Sequence, residues 1–161
     1  MTAEDKTLVM YGNGLHGAAR RMLPKLPDSR FVPAGDGELR AAVKEGLAQV
    51  VLVAGMEEQV AFLDDAGALR SITLDMDGGA ELAAEVAAAP APRDAYGLWE
   101  AAGILGPCGR ELCRRTAAEL ERRAAGAAGS AGSAAAPIAA QVVLVDSAGE
   151  RMVGMYGRMA R

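Results

Sequence analysis

Thr7-Leu8-Val9-Met10-Tyr11-Gly12-Asn13-Gly14-Leu15-His16-Gly17 is the stretch that decides the fold. A compact apolar run of β type ends in closely spaced glycines, and a helical stripe begins at once. Leu15, Ala18, Ala19, Met22 and Leu23 recur at the i, i+3, i+4, i+7, i+8 spacing of one helix face. Arg20 and Arg21 fall on the outer face, and Pro24 closes the helix. Working outward, Arg30-Phe31-Val32 is a weaker strand before the turn Pro33-Ala34-Gly35-Asp36-Gly37. Leu39, Ala42 and Val43 give a short helix ending near Gly46. Gln49-Val50-Val51-Leu52-Val53-Ala54 is continuous and β-branched, the pattern of a strand buried on both faces. A helix from Met56 to about Leu63, a strand at Ser71-Ile72-Thr73-Leu74 and a helix from Glu81 to Ala88, stopped by Pro90 and Pro92, follow. Strands separated by single helices require right-handed parallel crossovers. The expectation is an α/β fold: three layers around a mostly parallel sheet.

The second half changes character. Asp94 caps a helix through about Leu105, and Gly106-Pro107-Cys108-Gly109 reads as a break. A charged amphipathic helix then runs from Arg110 to about Ala124, with Cys113, Thr116, Ala117 and Leu120 on one stripe. The residues from Ala125 to Pro137, AGAAGSAGSAAAP, are too small and polar to bury a face and read as a flexible linker. Gln141–Val145 and Met152–Tyr156 flank Asp146-Ser147-Ala148-Gly149-Glu150 as a β-hairpin. This divides the chain into an α/β domain at 1–124, a linker at 125–137 and a C-terminal hairpin at 138–161. The hairpin joins either the domain's own sheet or a partner subunit.

Composition narrows the function classes. The chain has 161 residues, 51% hydrophobic and 24% charged, enough for one self-sufficient core. A net charge of −4 and 4% aromatic residues argue against nucleic acid, which needs clustered positive charge and stacking rings. Cys108 and Cys113 stand too close in sequence to close a useful disulfide loop, which points to a reducing cytoplasm. No apolar run is long enough to span a bilayer, and the polar start MTAEDK does not read as a signal peptide.

Gly12-Asn13-Gly14-Leu15-His16-Gly17 is G-x-G-x-x-G between a strand and a helix. In that context glycines serve a tight turn, close approach to a pyrophosphate and helix–strand packing. Asp36 stands about where an acidic residue would meet a ribose, roughly 20 positions on. Over residues 7–54 this resembles the dinucleotide-binding unit of the Rossmann fold. The resemblance implies a nucleotide or other phosphate-bearing ligand held by Gly12, Asn13, Gly14, Gly17 and Asp36, with NAD or NADP as the natural cofactor. The alternative is that the glycines merely close a β–α turn and Asp36 caps the next helix. The same Gly12-Asn13-x-Leu15-x-Gly17 also resembles the opening of the hydrogenase-maturation peptidases. That family's metal-binding acids are replaced here by Ala18, Ala19 and Ala54, which implies the shape without the chemistry. His16, the one histidine, is a possible acid, base or phosphate contact, or a partly exposed loop residue.

Three further stretches could carry chemistry or contacts. Cys108-Gly109-Arg110-Glu111-Leu112-Cys113-Arg114 is C-x5-R and resembles the phosphate loop of low-molecular-weight tyrosine phosphatases and arsenate reductases. There Cys108 would be a nucleophile with its pKa lowered at a helix N-terminus, and Arg114 the anion clamp. Glu111 would face the substrate anion, and the preceding residues do not read as a strand. Leu74-Asp75-Met76-Asp77-Gly78 resembles the first motif of the haloacid-dehalogenase phosphohydrolases, but no lysine follows Lys44 and Gly79 replaces a threonine. The stretch Arg151–Met159 mixes methionines with arginines, a composition suited to contact surfaces. The functional expectation is therefore a phosphate-ligand-binding domain. The alternatives are a non-catalytic assembly protein acting through its hairpin, as a homodimer or with a protein partner, and a cysteine-based phosphatase or reductase. No metal site is expected.

Overall fold

The computed structural model describes residues 6–130 and 137–157. The strands are β1 (Thr7–Tyr11), β2 (Phe31–Pro33), β3 (Gln49–Ala54), β4 (Ala139–Val145) and β5 (Met152–Tyr156). They form one sheet in the order β2-β1-β3-β4-β5. The first four are parallel, with Leu8 opposite Val50 and Leu52 opposite Val142, and β5 returns antiparallel to β4. This is the α/β sheet with a C-terminal hairpin that the alternation of apolar runs and helical stripes predicts.

Seven α-helices accompany the sheet among the described residues: α1 (His16–Met22), α2 (Asp36–Glu45), α3 (Met56–Leu63), α4 (Ala68–Asp75), α5 (Ala80–Ala88), α6 (Pro92–Ala101) and α7 (Leu105–Ser130). Because side chains alternate along a strand, each strand feeds two cores. Leu8, Met10, Val50, Leu52, Val142 and Leu144 meet the long helix α7 and the smaller helices around it. Val9, Val51, Val53 and Val143 face the other way, onto Leu15, Ala18 and Ala19 at α1, with Leu26 and Phe31. Every residue of β3 is buried, as its uninterrupted apolar run requires. No helix among the described residues is long and apolar enough to cross a membrane.

Four expectations are corrected. Ser71–Leu74 is not a strand but the middle of α4. Ala68, Ile72 and Thr73 are buried there while Leu74 is exposed, and the stripe appears only when the window extends back to Ala68. The Gly106–Gly109 break is instead the opening of α7. Pro107 falls in the first turn, where a missing N–H costs nothing, and Cys108 N–H already bonds Ile104 O at 3.0 Å. The same helix continues to Ser130, so the first part of the expected linker at 125–137 is helical, while 131–136 lie outside the described residues. Asp94 sits in the first turn of α6, and the cap position belongs to Ala91.

Candidate functional site

The chain leaves β1 toward β2 on one side and returns to β3 on the other. That reversal opens a crevice at the carboxyl ends of the strands, where open α/β sheets bind ligands. A cavity of about 500 Å³ occupies it. Asn13, Gly14 and Leu15 form the wall after β1, and the Gly55–Glu58 turn the wall after β3. Arg93 and Tyr96 of α6 face them, with the Asp146–Gly149 turn of the hairpin closing the remaining side.

Each wall has a local cause. Gly12 N–H bonds Val53 O at 2.9 Å and Leu15 N–H bonds Gly12 O at 3.0 Å, which folds the chain from β1 into α1. Gly14 carries a φ of 78°, the left-handed region that glycine tolerates. Behind the β3 wall, Gln59 is fully buried. Its amide donates to Ala54 O at 3.2 Å and Val143 O at 3.4 Å, and its carbonyl accepts from the Thr116 hydroxyl at 3.1 Å. The start of α3 is thereby tied to the ends of both β3 and β4. In the hairpin turn, Asp146 Oδ1 accepts from Glu150 N–H at 2.9 Å and Arg151 N–H at 3.4 Å. These bonds hold its carboxyl below the usual aspartate range. Burial chiefly raises the Tyr96 phenol above its ordinary value, while the Ser147 backbone opposes that shift.

Glu58 is the residue that gives the cleft its sign. It is half-buried, and its carboxylate accepts the Asn13 N–H at 2.7 Å across the strand ends. A Cβ on Gly12 would overlap this carboxylate, so glycine at 12 accommodates a carboxylate of the chain itself. Glu57, Glu58 and Asp146 line the cleft against Arg93.

The residues expected to form a site are dispersed. Asn13 and Gly14 reach the cleft. A Cβ on Gly17 would meet only the Arg21 guanidinium, at 3.5 Å. His16 is exposed, its ring 4.9 Å from Tyr11 and edge-on to Phe31. Asp36 opens α2 and bonds Arg123 at 3.0 Å, an ion pair between elements. Cys108 is wholly buried inside α7, and burial pushes its thiol up to about 11, opposite to the lowering a phosphate loop requires. Cys113 is buried too and pushed up by burial to about 12. Arg114 spends its guanidinium on Glu111, both contacts at 2.6 Å. Asp75 pairs with Arg115, and Asp77 is exposed at a φ of 60°. Among the described residues no three His, Cys, Asp or Glu side chains gather as a metal site. The wall residues Glu58, Arg93, Tyr96 and Asp146 lie far apart in sequence; the signal for Glu58 was its place just past the clearest strand.

The class so defined is a mostly parallel α/β sheet with an acidic cleft at its switch point. Proteins similar to the chain carry a specific name. It is 38% identical to a cobalt-precorrin-5B C(1)-methyltransferase of Salinispora tropica and 39% identical to one of Salinispora arenicola, over 98% of the chain in each case. A third protein of that name, from Rubrobacter xylanophilus, is 38% identical over 75% of the chain. The chain spans 43% of the length of each Salinispora relative and 35% of the third. No family model and no solved structure matches it.

These relatives overturn the likenesses to a Rossmann dinucleotide-binding unit and to the hydrogenase-maturation peptidases. They equally correct the reading of the chain as a phosphate-ligand or NAD-binding domain, a non-catalytic assembly protein or a cysteine phosphatase. The physical reasons agree: Glu58 fills the glycine turn, the hairpin turn is a cleft wall, and the Cys108 thiol is buried and protonated.

Proposed function

We propose that this chain forms part of a methyltransferase acting on carbon 1 of a cobalt-bearing precorrin, with the methyl donor in the switch-point cleft. The alignment of 98% of the chain with methyltransferases of that name carries this reading. The cobalt belongs to the substrate. A methyl group activated for transfer to carbon is borne by a cationic leaving group, of which a sulfonium is the common form. As an electron pair of the precorrin forms the new carbon–carbon bond, the methyl–sulfur bond breaks and its pair stays on a neutral thioether. The walls supply orientation and partial exclusion of water, which account for much of the acceleration in such a displacement. Acidic groups around a cationic donor are electrostatically matched. The reading places the protein in the cytoplasm, supported by two buried, unpaired thiols.

The test is a chimera in which this chain replaces the matching segment of the Salinispora tropica protein. Mass spectrometry is expected to find cobalt-precorrin-5B converted to a product one methyl group larger. A folded chimera that leaves the substrate unmethylated overturns the proposal.

A further inference from the structure

We propose that Glu58 determines the specificity of the cleft, making it hold a positively charged sulfonium in preference to the neutral thioether left after methyl transfer. The inference rests on the reading of the cleft as a methyl-donor site, and it names the charge of the ligand that site selects.

The argument starts at the turn after β1. Backbone N–H groups exposed by a glycine turn ordinarily attract an anion. Here the Asn13 N–H is already bonded at 2.7 Å by Glu58, whose carboxylate covers Gly12. A second anion would meet that charge, with Glu57 next to it, and would find the turn's donor taken. The charge complementary to the cleft is therefore positive.

Glu58 is also the acid best placed to act. Glu57 is exposed, and Asp146 is engaged by the N–H groups of its own turn, with Arg151 at 3.7 Å. Glu58 is half-buried and held from both directions. Asn13 fixes its head, and the neighbouring Gln59 ties its stretch of α3 to the ends of β3 and β4. A carboxylate has about four acceptor positions, so one bond to Asn13 leaves capacity for a ligand. Arg93, on the opposite wall, supplies a counter-charge suited to the anionic end of a zwitterionic donor. Buried Met56 and Tyr96 provide apolar surface. Once the methyl group has left, the positive charge that Glu58 holds is gone, and the spent donor is released more readily.

S-adenosylmethionine and S-adenosylhomocysteine are the probes. They share adenosine, ammonium and carboxylate, and differ by one methyl group and one positive charge. Calorimetry on the full chain at low salt is expected to give tighter binding of the sulfonium by about two- to fivefold, the size of a partly exposed charge pair. Glu58→Gln brings the ratio of the two dissociation constants close to one. Gly12→Ala is expected to do the same by another route, because its methyl group displaces the end of a flexible side chain and expels the carboxylate from the turn. Circular dichroism confirms that each variant is folded, and Glu58→Gln decides alone if Gly12→Ala is not. An undiminished preference in Glu58→Gln overturns the inference and leaves the donor-site reading intact. Equal or tighter binding of the thioether by the unaltered chain also overturns it. Failure of both probes to bind overturns the inference and the donor-site reading together.

Discussion

Cys108 illustrates how a short motif yields to its surroundings. Its spacing to Arg114 is that of a phosphate loop, but α7 begins before it and carries it into the core, where the charged thiolate is disfavoured. Both cysteines are wholly buried, and burial pushes their thiols to about 11 and 12. Neither is expected to react with iodoacetamide in the folded protein at pH 8, and both should react once urea unfolds it. Mass spectrometry of the alkylated protein checks this, and rapid modification of Cys108 in native buffer would contradict the burial. Gly12 follows the same logic in reverse. A glycine that resembles part of a nucleotide fingerprint is required by Glu58, a partner 46 positions away that no local motif can announce.

At the scale of elements, what was legible followed the strength of the periodic signal. β1 and β3 stand out in the sequence as compact apolar runs, and the helix after β1 as an apolar stripe at helical spacing. Ser71–Leu74 misled because four residues are too few to separate a strand from one turn of a buried helix. Gly106-Pro107 misled because a helix start and a helix break use the same residues. The acidic cleft was not legible, since its walls come from four separated segments that only the strand order brings together. Two glycines inside elements, Gly154 and Gly109, mark close packing. A Cβ on Gly154 of β5 would lie 3.2 Å from the backbone of Gly109 and Arg110, whereas one on Gly109 would meet the tip of Leu144 at 3.0 Å. Backbone cannot yield as a side-chain tip can, so Gly154→Ala is expected to cost about 1–3 kcal/mol by forcing β5 from α7. Gly109→Ala should lose less, because alanine regains up to about 1 kcal/mol of helix propensity. Urea midpoints of the two variants test the order, and equal losses would contradict it.

For the whole molecule, α7 is the spine to which the surface elements are fastened, and it uses one device twice. Glu111 with Arg115, and Glu119 with Arg123, are i,i+4 pairs set eight residues apart, about 12 Å along the helix. Arg115 reaches Ser71 and Asp75 of α4. Arg123 reaches Asp36 of α2 at 3.0 Å and the Phe62 carbonyl of α3, and stacks 3.9 Å over the Phe62 ring. Hydrogen bonds from Arg114, opposed by burial and joined by Arg115, hold the Glu111 carboxyl at about 2. Bonds from Arg122, with Arg123 adding to them, hold Glu119 at about 2 as well. Both lie below the ordinary glutamate value of 4.5, so the unfolded chain takes up these protons first as the pH falls. The stability they contribute is complete above about 4.5 and is lost as the pH falls through about 2. Urea midpoints measured from pH 6 down to pH 2 should therefore fall steeply below pH 5. In the double variant Glu111→Gln, Glu119→Gln, that fall should be clearly shallower. A pH profile unchanged by the double substitution would mean that other carboxylates carry the acid sensitivity, and that the two arginine clusters position elements without stabilising them.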